Sequence, residues 1–386
     1  MEALRGPLNG IRVVEFEAIG PGPFCGMMLA DMGADVLVVD RPGATDLGLG
    51  RERRHDTMMR GRRSVTLDMK SKGGAEAALE LISKADALIE GFRPGVMERL
   101  GIGPEIALAR NPKLVYGRMT GWGQDGPMAP RAGHDINYIA LAGPLAGIGR
   151  AGDAPVPPLN LVGDFGGGGM LLAFGIAAAL VEAQRSGNGQ VVDAAMCEGA
   201  SLLSTMFHGM LASKRWTEER GANFLDSGAP WYDTYETRDG KHVSIGSIEG
   251  RFYADLLERL GIAGEDLPRQ HDRAGWPKLR ARYTAAFKSK TREEWCAVFE
   301  GSDACFAPVL TWSEAYSHPH NVARKSFVEV GGVTQPAPAP RFSRTPGEVR
   351  RKPPERGEGG SGALADWGFT GGHLEKLKSL GLDFTS

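Results

Sequence analysis

"IRVVEFEAIGPGPFCGMMLADMGADVLVVD" (residues 11–40) decides the fold class. Residues 11–16 form a short β-rich run, 23–33 a helical pattern, and 34–40 a second β-rich run. A strand, a helix and a second strand within thirty residues is a βαβ unit, whose two strands must lie parallel. The alternation continues outward. "RSVTLDM" (63–69), "DALIEGF" (86–92) and "KLVYGRM" (113–119) read as strands. "GGAEAALELISKA", "GVMERLG" and "PEIALAR" read as helices between them. Such alternation predicts an α/β, Rossmann-like domain with a parallel sheet covered on both faces.

Near residue 230 the texture changes. "WYDTYETRDGKHVSIGSI" carries two alternating runs about an Asp-Gly turn, a hairpin signal. Helical patterns follow at "RFYADLLERLG", "WPKLRARYTAAFKSK" and "TREEWCAVFEG", the last opening on a Thr291/Glu294 capping box. "ACFAPVL" reads as a further strand. The expected layout is a large domain over 1–195, linker helices over 196–224 and a smaller α+β domain over 225–325. The chain then returns to the large domain over 326–386. The Pro-, Gly- and Arg-rich stretch 331–362 is expected to be an extended, solvated connection, followed by a short helix at "GGHLEKLKSLG".

Composition excludes several function classes. With 386 residues, 24% charged, 42% hydrophobic and a net charge of −2, the chain reads as a globular protein without the basic face that nucleic acid demands. Four cysteines, none in a C-x-x-C pair, suit neither a zinc site nor a disulfide scaffold, and point to a reducing cytoplasm. The opening "MEALRGPLNG" lacks the apolar core of a signal peptide. The longest apolar run, "MLLAFGIAAALV" (170–181), is too short for a membrane span and predicts a buried helix. No membrane and no metal partner are expected. His318 and His320 stand without clustered ligands.

Several places carry candidate chemistry. "GPGPFCG" (20–26) after a strand, with Asp40 closing the next strand, invites a dinucleotide reading. The G-x-G-x-x-x-G spacing and the two prolines argue against it. "LVGDFGGGGMLLAF" (161–174) sets Asp164 before four glycines and a helix, more glycine than a helix cap needs. "GHDINY" sets His134 between a glycine and an aspartate ahead of an apolar run, and "GSIEGRF" sets Glu249 between a strand and a helix. Arg41, Lys70, Arg93 and Arg99 fall at or just after strand ends, where open α/β sheets bind ligands, and their charge suits phosphates. Each alone has a bland reading as a cap, a first-turn acid or a surface cation.

Together they resemble a known family. "LNGIRVVEF", "GPGPF", "GADVLVVDRPG", "LIEGFRPGVMERLGIGP", "GRMTGWGQDGP", "GHDINY", "PPLNLVGDFGGGGM", "GQVVDAAM" and "APWYDTYETRDGKHVSIGSIE" are similar, in that order, to stretches of the α-methylacyl-CoA racemases, within the family III CoA transferases. The resemblance runs from about residue 6 to 345. It implies an interlocked homodimer with a Rossmann-like large domain and a smaller α+β domain. It implies interconversion of (R)- and (S)-2-methylacyl-CoA thioesters, with no cofactor beyond the CoA of the substrate. His134 and Asp164 are implied as the acid/base pair, with Glu249 supporting the histidine. For CoA it implies Ile19, Arg41, Leu67, Asp68, Met69, Lys70, Gly91, Phe92, Arg93 and Arg99. It adds the segment Gly133, His134, Asp135, Ile136, Asn137 and Tyr138. The stretch "GEVRRKPPERGEGGSG" (347–362) and the long loop after Arg41 depart from the family pattern.

Inversion at C2 requires a proton to leave one face and another to arrive on the opposite face, so two groups must alternate as base and acid. The intermediate is an enolate, and a backbone N–H aimed at its oxygen lowers the barrier. The Asp135 amide, at an expected helix start beside His134, is the candidate donor. The rival is a CoA transferase in which Asp164 attacks the thioester as a nucleophile. A CoA-binding module without catalysis is a third class.

Overall fold

A computed structural model describes residues 6–43 and 52–384. Much of the loop after Arg41, expected to be lengthened, therefore lies outside the described residues. The chain divides into two compact units: residues 1–142, 159–203 and 319–386, and residues 143–158 with 204–318.

The first unit is built on β1 (Arg12–Phe16), β2 (Asp35–Asp40), β3 (Arg63–Leu67), β4 (Ala87–Glu90), β5 (Val115–Thr120) and β6 (Gln190–Ala195). These lie parallel in the order β3-β2-β1-β4-β5-β6, with Leu382–Asp383 added antiparallel beside β3. The order reverses at β1 and β4, leaving a crevice outside their carboxyl ends. Successive strand residues face opposite layers. Val14, Leu37, Leu88 and Tyr116 join one core, while Val13, Val36, Ala87, Ile89 and Val115 join the other. A sheet buried on both faces explains the nearly continuous apolar strands.

β6 was not expected as a strand. It is an edge strand whose first residues are exposed, so it lacks the apolar run that marks its neighbours. The apolar run at 170–181 also differs from expectation. A π-helical stretch, Leu161–Met170, continues as the α-helix Leu171–Ser186, giving 26 residues that contain an 18-residue window of mean hydropathy 1.6. By length and composition that could cross a membrane. In the fold, Leu172, Ile176 and Leu180 are buried in the core that includes Val115 of β5.

The second unit holds β7 (Tyr232–Glu236), β8 (His242–Gly246) and β9 (Phe306–Pro308) in an antiparallel sheet. Helices Gly250–Arg259, Trp276–Phe287 and Arg292–Phe299 complete it, and both arms of the Thr291/Glu294 capping box form. Residues 143–158, expected in the large domain, belong here. Arg150 pairs with the buried Asp233 at 2.7 Å. Residues 204–224, expected as a linker, are tied to this core by rings. Phe207 meets Trp216 at 4.8 Å, Trp216 meets Phe224 at 6.0 Å, and Phe224 meets Trp231 at 6.4 Å.

The stretch 331–362 is a solvated connection only in its middle, where residues 339–346 are irregular and mostly exposed. β10 (Phe327–Val330) and β11 (Val333–Pro336) form a hairpin. Beyond it, residues 348–359 lie against the large sheet. Gly61 N donates to Arg351 O at 2.9 Å, and Ser64 N to Glu358 O at 3.0 Å.

Candidate active site

The helix Asp135–Ala142 begins at the His134–Asp135 junction because His134 acts as its cap. Asn137, three residues on, accepts from His134 N at 3.0 Å, and His134 O accepts from Asn137 N at 2.8 Å. Asp135 therefore sits at the first helical position, where the N–H has no intrahelical acceptor and is directed outward. Gly133 is required by crowding. A Cβ there would stand 2.7 Å from the Tyr138 ring and 3.0 Å from Trp122. These two rings pack edge to face at 4.8 Å, and the Tyr138 hydroxyl donates to Gly133 O.

The Asp135 side chain has a separate job. Its buried carboxylate accepts from Asp164 N at 2.7 Å, joining the helix start to the π-helical stretch. Its other oxygen is buried without a hydrogen-bond partner among the described residues. Gly163 permits this contact, since a Cβ on it would lie 2.5 Å from that carboxylate.

The glycines after Asp164 serve close backbone packing. A Cβ on Gly167 would lie 2.7 Å from Ala200 N, one on Gly168 3.0 Å from the Pro21 Cβ, and one on Gly169 2.7 Å from Pro21 O. The π-helical run thus seats against the helices Met196–Leu203 and Pro21–Asp31. Wide winding of this kind is concentrated at functional sites. The "GPGPF" loop arrives at the same place: Gly20, at φ 67°, would bring a Cβ within 3.2 Å of the Asp164 carboxylate.

Asp164 accepts from Asn160 Nδ2 at 3.0 Å. Burial, helped by the charge of Asp135, raises its pKa above the ordinary aspartate value. The Asn160 hydrogen bond and the charge of His134 oppose that shift without cancelling it. Burial, with the Asp164 charge adding, also pushes Tyr138 up to about 12. The structure therefore brings His134, Asp135 and Asp164 together. The His134 ring is exposed and makes no hydrogen bond among the described residues. Glu249 lies in the second unit as the cap residue of Gly250–Arg259, and its carboxylate likewise carries no hydrogen bond there.

A cavity of about 510 Å³ opens at the carboxyl ends of β1 to β4. Of the residues the sequence singled out, Arg41, Leu67, Asp68, Met69, Lys70 and Phe92 line it. The Arg41 guanidinium lies 5.7 Å from the centre of the Phe92 ring. Ile19, Gly91, Arg93, Arg99 and the segment 133–138 are not among its walls. Ile19 is exposed on the turn that leads to Gly20, and Gly91 lets that turn approach, with Ala18 Cβ 3.2 Å from the place a Cβ would take. Arg93 acts on the other locus, where its charge opposes the rise at Tyr138. Arg99 ends the short helix Val96–Arg99. Glu17 and Phe16, also in the wall, were not singled out, because an acid just after a strand carries no signal of its own.

Asp40 is no ribose ligand. It is buried and forked by Arg53 at 3.0 and 2.6 Å. Among the described residues no cluster of three metal-ligating side chains occurs.

The model of CoA-transferase family III matches residues 8–359. The chain is 46% identical to the alpha-methylacyl-CoA racemase of Mus musculus over 374 residues, covering 96% of both chains. It is 44% identical to that of Homo sapiens, again covering 96% of each. Among solved structures, a CAIB/BAIF family protein from Brucella suis superposes with a TM-score of 0.79 at 27% identity, covering 94% of this chain and all of that one.

Proposed function

The chain belongs to CoA-transferase family III, and on that premise we propose that it is an α-methylacyl-CoA racemase acting through His134 and Asp164. The observation that carries this reading is the environment of Asp164. Its carboxyl group is partly buried, raised in pKa and placed where the charge of His134 acts on it. A carboxyl poised to exchange its proton suits one half of a two-base inversion, and an imidazole suits the other. The Asp135 N–H, left over at the helix start, supports an oxyanion donor for the enolate. The cavity at the strand ends would hold the CoA portion, with Arg41 and Lys70 meeting its phosphates. Binding energy gathered there fixes C2 between the two bases.

We also propose a homodimer in which Glu249 of the partner subunit orients His134. Support comes from the two unbonded side chains and from exposed apolar residues of the first unit. Leu141 is 65% exposed, Phe174 71% and Leu202 60%. Such a surface asks for a cover.

The test separates the racemase from a transferase that uses Asp164 as nucleophile. The protein is mixed with 2-methylacyl-CoA, with and without an acceptor acid, and followed by chiral product analysis and intact-protein mass. Inversion without acceptor and without a protein adduct is expected. An acyl or CoA adduct on Asp164 during turnover would overturn the reading.

A further inference from the structure

The stretch 347–362, expected to depart from the family pattern but matched by the family model as far as residue 359, ends beside the cavity. Arg53 Nε donates to Pro354 O at 2.6 Å, and Gly357 N to Ser64 Oγ at 2.8 Å, which holds Arg356 at the ends of β1 and β2. The Arg356 guanidinium forks onto Glu17 at 2.5 and 3.1 Å. It also donates to Arg41 O at 2.9 Å. Glu17 in turn accepts from Arg41 N at 2.9 Å. One ion pair thus grips both peptide groups that flank the Arg41 Cα, and both Glu17 and Arg41 wall the cavity.

The arrangement answers a problem the cavity poses. A carboxylate in the wall of a polyphosphate site repels its ligand. Burial alone would push the Glu17 carboxyl upward, but the hydrogen bonds from Arg356 and Arg41 N, with their charges, hold it below the usual range. Glu17 therefore stays ionised and must be neutralised in place. Arg356 does so with a two-pronged geometry that a lysine cannot reproduce.

We propose that Arg356 is a positioning residue for the CoA cavity: it cancels the charge of Glu17 and fixes the Arg41 backbone, so that the Arg41 side chain is presented to the ligand's phosphates. This rests on the reading that the cavity takes CoA. Arg356 is not among the cavity's lining residues. It acts through Glu17 and Arg41, its further contact at 3.5 Å being with the buried Asp40 that Arg53 already pairs.

The experiment is calorimetric titration with free CoA of the full-length wild type, Arg356→Ala, Arg356→Lys, Glu17→Gln and Arg356→Ala/Glu17→Gln, each checked for folding by circular dichroism. Arg356→Ala is expected to weaken CoA about tenfold or more, the scale of one uncompensated charge near phosphates at a protein surface. Arg356→Lys should recover part of the loss. Adding Glu17→Gln to Arg356→Ala should recover most of it, because the amide oxygen still accepts from Arg41 N but carries no charge. In steady-state kinetics the KM for the thioester should rise with the CoA dissociation constant, while kcat falls less than about threefold. If Arg356→Ala fails to fold, Arg356→Gln with and without Glu17→Gln puts the same question. Arg356→Ala binding CoA within twofold of wild type overturns the proposal, as does a loss that Glu17→Gln does not restore. A wild type that binds no CoA removes the CoA reading itself, and the proposal with it.

Discussion

Asp164 and Glu17, both in the first unit, live under opposite electrostatic rules. Glu17 has a guanidinium forked onto it and a backbone N–H besides, so its carboxyl is held ionised. Asp164 has one amide donor, a neighbouring aspartate and no arginine, so burial holds its carboxyl toward the protonated form. The first arrangement suits a permanent counter-ion, and the second suits a group that must take and return a proton. Burial alone does not distinguish these roles; the partners do.

The strongest way to break this contrast is Asp164→Asn. The amide keeps the shape but cannot exchange a proton, and turnover at saturating 2-methylacyl-CoA should fall by roughly two to four orders of magnitude. His134→Ala should fall by a similar amount. Each variant should keep slow deuterium wash-in for the enantiomer whose proton faces the surviving base. A folded variant of either kind that racemises near the wild-type rate would reduce that residue to a structural part.

A smaller effect is expected from Glu249→Gln, which should lower turnover about tenfold to a hundredfold, since it removes an orienting group and not a base. Heterodimers of His134→Ala and Glu249→Ala chains should regain up to about half the activity of wild type, because one site then pairs two intact residues. No recovery, with subunit exchange confirmed, would place both residues of a site in one chain.

Asp135→Asn sharpens the comparison further. Its amide oxygen still accepts from Asp164 N, but the charge that adds to burial in raising Asp164 is gone. The limb of the pH-rate profile that reports Asp164 should move to lower pH, and an unmoved limb would remove Asp135 from the account. The smallest effect is on stability. The folded pKa of Asp164 lies above its unfolded value, so its ionised form costs stability as pH rises through the folded pKa. Asp164→Asn should therefore melt above wild type at pH 7, and the gap should close once pH falls below the ordinary aspartate range. A gap that widens on acidification would show that the carboxylate is stabilised by folding.

Much of this was legible in the sequence, and the omissions have physical causes. β1 to β5 announced themselves because strands buried on both faces carry apolar runs, even where buried polar residues such as Glu15, Ser64 and Arg118 interrupt them. β6 did not, being an exposed edge. The glycine run after Asp164 signalled close approach, but not that the approaching groups were the protein's own helices at Pro21 and Met196–Leu203. The stretch 331–362 reads as solvated throughout because glycine, proline and arginine dominate it. Two of its arginines instead reach distant groups, Arg350 the Gly33 carbonyl and Arg356 the Glu17 carboxylate, and local composition carries no such information. His134, Asp135 and Asp164 could be singled out as residue types at suggestive positions. That Asp135 holds Asp164 by its backbone follows only from the fold.

The most direct measurement is deuterium exchange at C2 of (R)- and (S)-2-methylacyl-CoA in D2O, with no acceptor acid present. The account predicts that either enantiomer takes up deuterium and loses its chirality, and that Asp164→Asn abolishes the inversion. Unexchanged, chirally intact substrate with wild-type protein, together with CoA transfer once an acceptor acid is added, would contradict it.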